Sequence, residues 1–280
     1  MKGRTCAWFD RLRGQFTDSL TLTCLPADLK PLQPHEHERC KSWKLMTEGC
    51  TEQDPRLRKM WSEPTWSGFQ LRSKTYLQSK VKETSAPPRT LAHRRDGTPE
   101  ELHHVCKSKK SFASRALAKF GNDMPPLFVV TLIVPGTPVV AGVQYFARTS
   151  DVPQSEANAL WQKFLESDDA FRKERLKLVP TVHDGPWLVR KSVGTKPLII
   201  ARALETTFYQ TPAYLEVVVD ICSDRIAKHV TALCRSHSTR LVIDVGYVIE
   251  GRDEAELPEA LLGCIEYSHL DLSISTAIAD

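Results

Sequence analysis

Six of the seven Lys and Arg that fall within twenty-five positions of this 280-residue chain form a candidate set: Arg172, Arg175, Lys177, Arg190, Lys191 and Lys196. Clustered bases are the side chains that hold phosphate-bearing headgroups, each contributing about 1 kcal/mol beside an acidic bilayer. The first three close a segment predicted as a helix over 168–177, with Ser167 as its cap, acids in its first turn and bases in its last. Asp168–Arg172 and Asp169–Lys173 fall at i, i+4, which leaves Arg175 and Lys177 without such a partner. Three carboxylates form a second candidate set. In Tyr214–Ile221 strict alternation puts Leu215, Val217, Val219 and Ile221 on one face and Glu216, Val218 and Asp220 on the other. In Leu241–Ile249 it puts Leu241, Ile243, Val245, Tyr247 and Ile249 opposite Val242, Asp244, Gly246 and Val248. Carboxylates among valines suit a half-buried face. Asp220 and Asp244 are expected on adjacent strands around a polar cleft, with Arg190 or Arg202 as counter-charge; the plainer alternative is a solvated face with ordinary salt bridges. Two carboxylates can do acid–base work, but nothing in the sequence assigns them a substrate.

Other chemistries find little support. His35-x-His37-x-x-Cys40 groups three metal-ligand types without a second cluster of matching spacing, and reads as a polar stretch, so no metal site is predicted. There is no Gly-x-Ser-x-Gly nucleophile turn. Gly194-x-Lys196 lacks the rest of a phosphate-binding loop, and no cofactor is expected. His183, in a turn before Gly185-Pro186, is read as a hydrogen-bonded loop histidine. Trp187 is read as a core anchor opening an apolar strand. Trp61 and Trp66, flanking Pro64, are read as docking onto the domain.

Hydrophobic residues at 41% and charged residues at 26% allow a sizeable core. Residues 1–120 hold 23 Lys and Arg against 13 Asp and Glu, whereas residues 121–280 hold 15 against 21, so the overall +4 conceals a basic front and an acidic back. The basic front carries no recognisable nucleic-acid-binding module, and no nucleic-acid partner is expected. The eight cysteines are scattered without close pairs, which fits a reducing compartment. No run approaches the length of a membrane span. The first residues lack the apolar stretch of a secretory signal. The expected location is cytoplasmic, peripheral at membranes.

Residues 1–60 have weak periodicity and many turn formers, and are read as a poorly ordered basic extension. Strands are predicted at Phe69–Leu77, Leu127–Val134, Val139–Ala147, Trp187–Val193, Pro197–Leu204, Tyr214–Ile221, Arg240–Ile249 and Leu262–Leu270. Helices are predicted at Lys109–Lys119, Ser155–Leu165, Asp168–Lys177 and after Ser223, where Ile226, Val230 and Leu233 share a face. Strands joined by tight turns, with clustered helices, give an α+β domain over 61–280: a mostly antiparallel twisted sheet with a few packed helices.

Several runs carry a family resemblance. They are Trp61-Ser-Glu-Pro64 with Phe69, Arg72, Tyr76 and Lys80; Phe128 to Gly136; Asp169-x-Phe171-Arg172-x-x-Arg175-x-Lys177-Leu178-Val-Pro180; Gly185-Pro186-Trp187; Val193-Gly194-x-Lys196-Pro197; Tyr214-Leu-Glu216-x-x-x-Asp220; and Glu256-Leu257-Pro258-Glu259-x-Leu261-Leu262-Gly263. Over about residues 61–280 the chain resembles the C-terminal domain of plant Enhanced Disease Resistance 2 proteins, a domain of no established biochemical activity. The resemblance implies a non-catalytic, lipid- or membrane-associated regulatory role linked to defence or cell-death signalling, with anionic lipid and protein partners. The alternatives are a protein-interaction or scaffold domain without a ligand pocket, and an undescribed enzyme.

Overall fold

The computed structural model describes residues 60–271 except 63, 65–67, 85–89, 95–102, 110, 122–124, 138 and 148–155. Residues 1–59 of the extension, including His35, His37 and Cys40, lie outside the described residues, as does Trp66. Twelve strands are described: β1 (Trp61–Ser62), β2 (Leu71–Arg72), β3 (Lys82–Glu83), β4 (Thr90–Arg94), β5 (Leu127–Val134), β6 (Val140–Ala147), β7 (Leu176–Asp184), β8 (Leu198–Ile199), β9 (Glu205–Gln210), β10 (Tyr214–Asp220), β11 (Val242–Ile249) and β12 (Leu261–Ser268). The helices are α1 (Tyr76–Ser79), α2 (Phe112–Phe120), α3 (Glu156–Glu166), α4 (Asp169–Arg175), α5 (Trp187–Val193) and α6 (Arg225–Ser236), with short 3₁₀ turns between elements.

The strands divide between two five-stranded sheets, β1-β12-β11-β7-β8 and β4-β6-β5-β10-β9, with β2 and β3 paired separately. Among the described residues every pairing is antiparallel except β10 with β5. The alternation read from β10 and β11 holds. Leu215, Val217 and Val219 meet Val245, Tyr247 and Ile249 in one buried cluster with Phe128, Phe146, Trp161 and Phe164, and this is the core between the sheets. The outer face of the β5-containing sheet is covered by α2 and the 3₁₀ turn Val105–Lys107, through Val105, Phe112, Ala113 and Ala116. Phe69 and Leu71 cover the outer face of the other sheet. Val189 and Val193 of α5 pack on Val230 of α6 and on Leu241.

Four predicted elements differ. Phe69–Leu77 forms only β2 followed by the single turn α1, because Phe69 and Leu71 lie on a sheet instead of extending one. Trp187–Val193 is helical: Pro186 stands at its N-cap, Val189 and Val193 at i, i+4 supply the buried stripe, and Gly194, at φ 71°, closes it by donating its amide to the Arg190 carbonyl. Pro197–Leu204 keeps only β8 before turning 3₁₀. The predicted helix 168–177 stops at Arg175, and β7 starts at the next residue. The strands β1, β3, β4, β7 and β9 have no counterpart among the predicted strands. Two caps shift by one residue: the side chains of Asp168 and Asp224, not Ser167 and Ser223, accept the first-turn amides.

The sheets meet closely at Gly263 of β12, where a Cβ would stand 2.3 Å from the Phe146 ring. Phe146 is fully buried and has nowhere to retreat. The Gly263→Ala variant should therefore lose about 1–3 kcal/mol in urea unfolding. Gly68→Ala, where a Cβ meets no atom within 4 Å, should stay within about 0.5 kcal/mol of the parent.

Candidate functional site

Three of the six basic candidates are spent inside the fold. Arg172 is buried, donating from Nε to the Phe164 carbonyl at 2.9 Å and from Nη2 to the Leu165 carbonyl at 2.7 Å. Its remaining donors reach Asp169 and Gln210, so the helix pair formed is i, i+3 and not the expected Asp168–Arg172. Arg175 pairs with Glu256 and donates to the Glu250 carbonyl at 3.0 Å. Lys177 is buried against Glu259, with Glu250 at 3.9 Å. Arg72 joins the cluster, with Nη2 3.4 Å from Glu250 and Nε 3.7 Å from Glu259. Lys163 lies 2.6 Å from Glu256, and Arg252 bridges Glu174 and Glu250. The residues left uncompensated by helix spacing are thus compensated by the loop 250–259, some eighty positions away in sequence.

Burial pulls the Lys177 amine down, and Glu259 works against that pull. Burial pushes the Glu256 carboxyl up, yet Lys163, the Arg252 amide and Arg175 outweigh it and hold the group at about 2. A depressed carboxyl contributes stability that is present above its unfolded value of 4.5 and lost as pH falls toward 2. The acid arm of the stability–pH curve should therefore steepen between those values, with roughly 1–3 kcal/mol at stake at neutral pH. In Glu256→Gln that arm should flatten, as read by chemical denaturation across the range.

The carboxylates do not form the expected cleft. Asp220 ends β10 and Asp244 sits in β11, which belong to different sheets, so the two strands are not adjacent. Alternation places a side chain on a face but cannot say which sheet the strand joins. The ionisable partner that faces Asp244 is His183. Asp220 accepts the Cys222 amide at 2.7 Å. Asp244 is buried and bonds His183 Nε2 at 2.6 Å; burial pushes its carboxyl up and His183 offsets this. His183 is therefore hydrogen-bonded, as expected, but from within β7 and not from a turn. Glu216 is fully buried beneath the segment 104–106. It accepts the Val105 and Cys106 amides at 3.1 and 3.0 Å and the Thr131 hydroxyl at 2.7 Å, with His104 Nε2 at 3.8 Å. His104 stacks on Tyr209, centroids 3.8 Å apart, and contacts the Tyr214 hydroxyl, whose pKa burial pushes up to about 12. Glu216 thus anchors a backbone segment. Among the described residues no group of three or more His, Cys, Asp and Glu side chains could hold a metal.

The other three basic candidates, Arg190, Lys191 and Lys196, are exposed on and just after α5. The helix turns its valines inward and its Trp187 and Leu188 outward, 65% and 52% exposed, with the Lys191 ammonium 4.6 Å from the Trp187 ring centroid. Trp187 is therefore no core anchor, because the helix rotates it away from the interior that a strand would have given it. The neighbouring α6 exposes Arg225 and Lys228. Residues 185–204 and 225–243 together carry eight Lys and Arg and no Asp or Glu. Gly185-Pro186 ahead of Trp187 and Gly194 behind it were the sequence signal for this helix.

A two-sheet α+β domain with an internal ion cluster and a basic, aromatic-bearing helix face is the class that the geometry defines. The chain belongs to the family described as Protein ENHANCED DISEASE RESISTANCE 2, C-terminal, which matches residues 61–271. A relative from Arabidopsis thaliana, named Protein ENHANCED DISEASE RESISTANCE 2-like, is 37% identical over 176 residues, covering 62% of this chain. The chain spans about a quarter of that relative's length, the match covering 23% of it. No solved structure matches the chain. Among the described residues no helix is long and apolar enough to cross a membrane.

Proposed function

We propose that this domain is a non-catalytic regulatory module that docks reversibly on anionic membrane surfaces through the α5–α6 face, and that its family ties this docking to control of disease resistance. The observation that carries the reading is the outward pair Trp187 and Leu188 set among Arg190, Lys191 and Lys196. An indole suits the bilayer interface because its body is apolar and its N–H is polar. Bases worth about 1 kcal/mol each supply attraction that salt screens. Neither contribution alone holds a protein on a bilayer; together they give weak, reversible binding. The non-catalytic reading is supported by Glu216, both of whose oxygens are engaged by backbone amides and a hydroxyl, and by Asp220 and Asp244, each of which commits one oxygen, to the Cys222 amide and to His183.

The test is sedimentation with phosphatidylcholine vesicles, with and without phosphatidylserine. The protein should bind the acidic vesicles at low salt and release at high salt. Arg190→Gln/Lys191→Gln/Lys196→Gln should weaken binding about 100-fold, and Trp187→Ala should weaken it further at fixed charge. Arg175→Gln should leave the α5 surface unaltered. Equal sedimentation of the triple variant would overturn the reading and leave the same face to a protein partner.

A further inference from the structure

The cations of the α5 face surround a hydroxyl that the fold leaves uncommitted. Thr195 follows Gly194, the residue that closes α5, and is exposed together with Lys196. Hydroxyls near the ends of other helices are engaged by the chain. Ser167 donates to the Lys163 carbonyl at 2.6 Å, Ser223 to the Asp220 carbonyl at 2.6 Å and Ser236 to the Leu233 carbonyl at 2.9 Å. Among the described residues no group bonds the Thr195 hydroxyl. The backbone here is equally unpinned. The last bond of α5 runs from the Gly194 amide to the Arg190 carbonyl at 3.0 Å, and strand pairing resumes only at Leu198 of β8. Thr195, Lys196 and Pro197 lie between, outside any helix or strand, and Pro197 biases Lys196 toward extended backbone.

An exposed extended segment is the form that a protein kinase cleft accepts without unwinding a helix, and basic neighbours are what an acidic cleft selects. Arg190 and Lys191 stand in the last turn of α5, and Lys196 follows Thr195 directly. All three are exposed, and none has an ion-pair partner among the described residues. The nearest acids in sequence are Asp184 and Glu205. Asp224, at the N-cap of the adjacent α6, is held by the Ile226 and Ala227 amides at 2.8 and 2.7 Å. The same three solvated cations can therefore serve an acidic bilayer or a phosphate on their own chain, but not both in full.

We propose that Thr195 is a phosphorylation site for an ATP-dependent protein kinase that selects basic substrates, and that its phosphate switches off the α5 face. The switch rests on the docking proposed above. Thr195 Oγ1 attacks the γ-phosphorus of ATP, the bond from that phosphorus to the ADP oxygen breaks, and the hydroxyl proton passes to the aspartate base of the kinase. The product carries a charge of about −1.5 to −2 and three acceptor oxygens at neutral pH. Arg190, Lys191 and Lys196 then count as roughly +1 in place of three charges. The negative end of the α5 dipole does not hold the phosphate, so these side chains supply its contacts and leave the bilayer. Losing two of the three charges should weaken vesicle binding about 30-fold.

The experiment has two arms, both on the full chain. In the first, the catalytic subunits of cyclic-AMP-dependent kinase and of protein kinase C act with Mg-ATP, and the phosphate is located by fragmentation mass spectrometry. At least one kinase should modify Thr195, and Thr195→Ala should lose that phosphate. In the second, chain carrying phosphothreonine at position 195, made by codon suppression, is sedimented with phosphatidylcholine vesicles containing phosphatidylserine at low salt. It should bind about 30-fold more weakly than the unmodified chain and regain binding after phosphatase treatment. In Arg190→Gln/Lys191→Gln/Lys196→Gln the same phosphate should change binding little, because the cations it neutralises are gone. No phosphate at Thr195 with either kinase would overturn the site. Equal binding of the modified and unmodified chains would overturn the switch while leaving the docking in place. If the unmodified chain itself ignored acidic vesicles, the docking and the switch would both fall, and the first arm alone would decide the site.

Discussion

The buried ammonium of Lys177 is the constraint around which much of this domain is arranged. It lies near the start of β7 and is buried, and an unpaired charge there would cost several kcal/mol. Glu259 and Glu250 remove that cost only if the loop 250–259 folds back over the strand. Once it does, both carboxylates also become partners of Arg72, which fixes β2 and brings Phe69 and Leu71 onto the outer face of the sheet. Glu256, three residues before Glu259, then faces Arg175 and Lys163 and ties α3 and α4 to the same loop. One ionic requirement thus joins the consecutive α3, α4 and β7 to β2 and to the 250–259 loop, both distant in sequence.

That cluster also explains how this domain distributes its charge. Bases near the 250–259 loop are paired with its carboxylates, whereas α5 and α6 carry bases and no acid within their own spans. A charge that stays solvated costs little and is available to a partner; a charge that has been desolvated is already committed to one. The carboxylate Glu216 shows the same economy in reverse: it is deeply buried, and backbone amides and a hydroxyl engage it.

The residues that carry the family resemblance are read differently once the fold is known. Arg172, Arg175, Lys177, Glu256 and Glu259 belong to motif runs, and all serve the interior. Gly185-Pro186-Trp187 belongs to another run and begins the exposed helix face. A motif marks positions on which the structure or the function depends, without saying which.

Sequence alone determined the class of fold, the apolar strands β5 and β6, the two-residue alternation of β10 and β11, and the amphipathic stripe of α6. Each depends on a local period in which neighbouring residues report the same burial. It also determined that Leu215 and Glu216, or Val245 and Asp244, face opposite ways. Tertiary structure decided which sheet each strand entered, and so separated Asp220 from Asp244. It also decided that Trp187–Val193 coils: Val-rich sequence suits a strand, but Val189 and Val193 find Val230 and Leu241 only when they stand one helical turn apart. The partners of Arg175 and Lys177 could not be read locally, because they lie some eighty residues away. Charge pairing has no period, and long-range pairing is fixed only when the chain is closed upon itself.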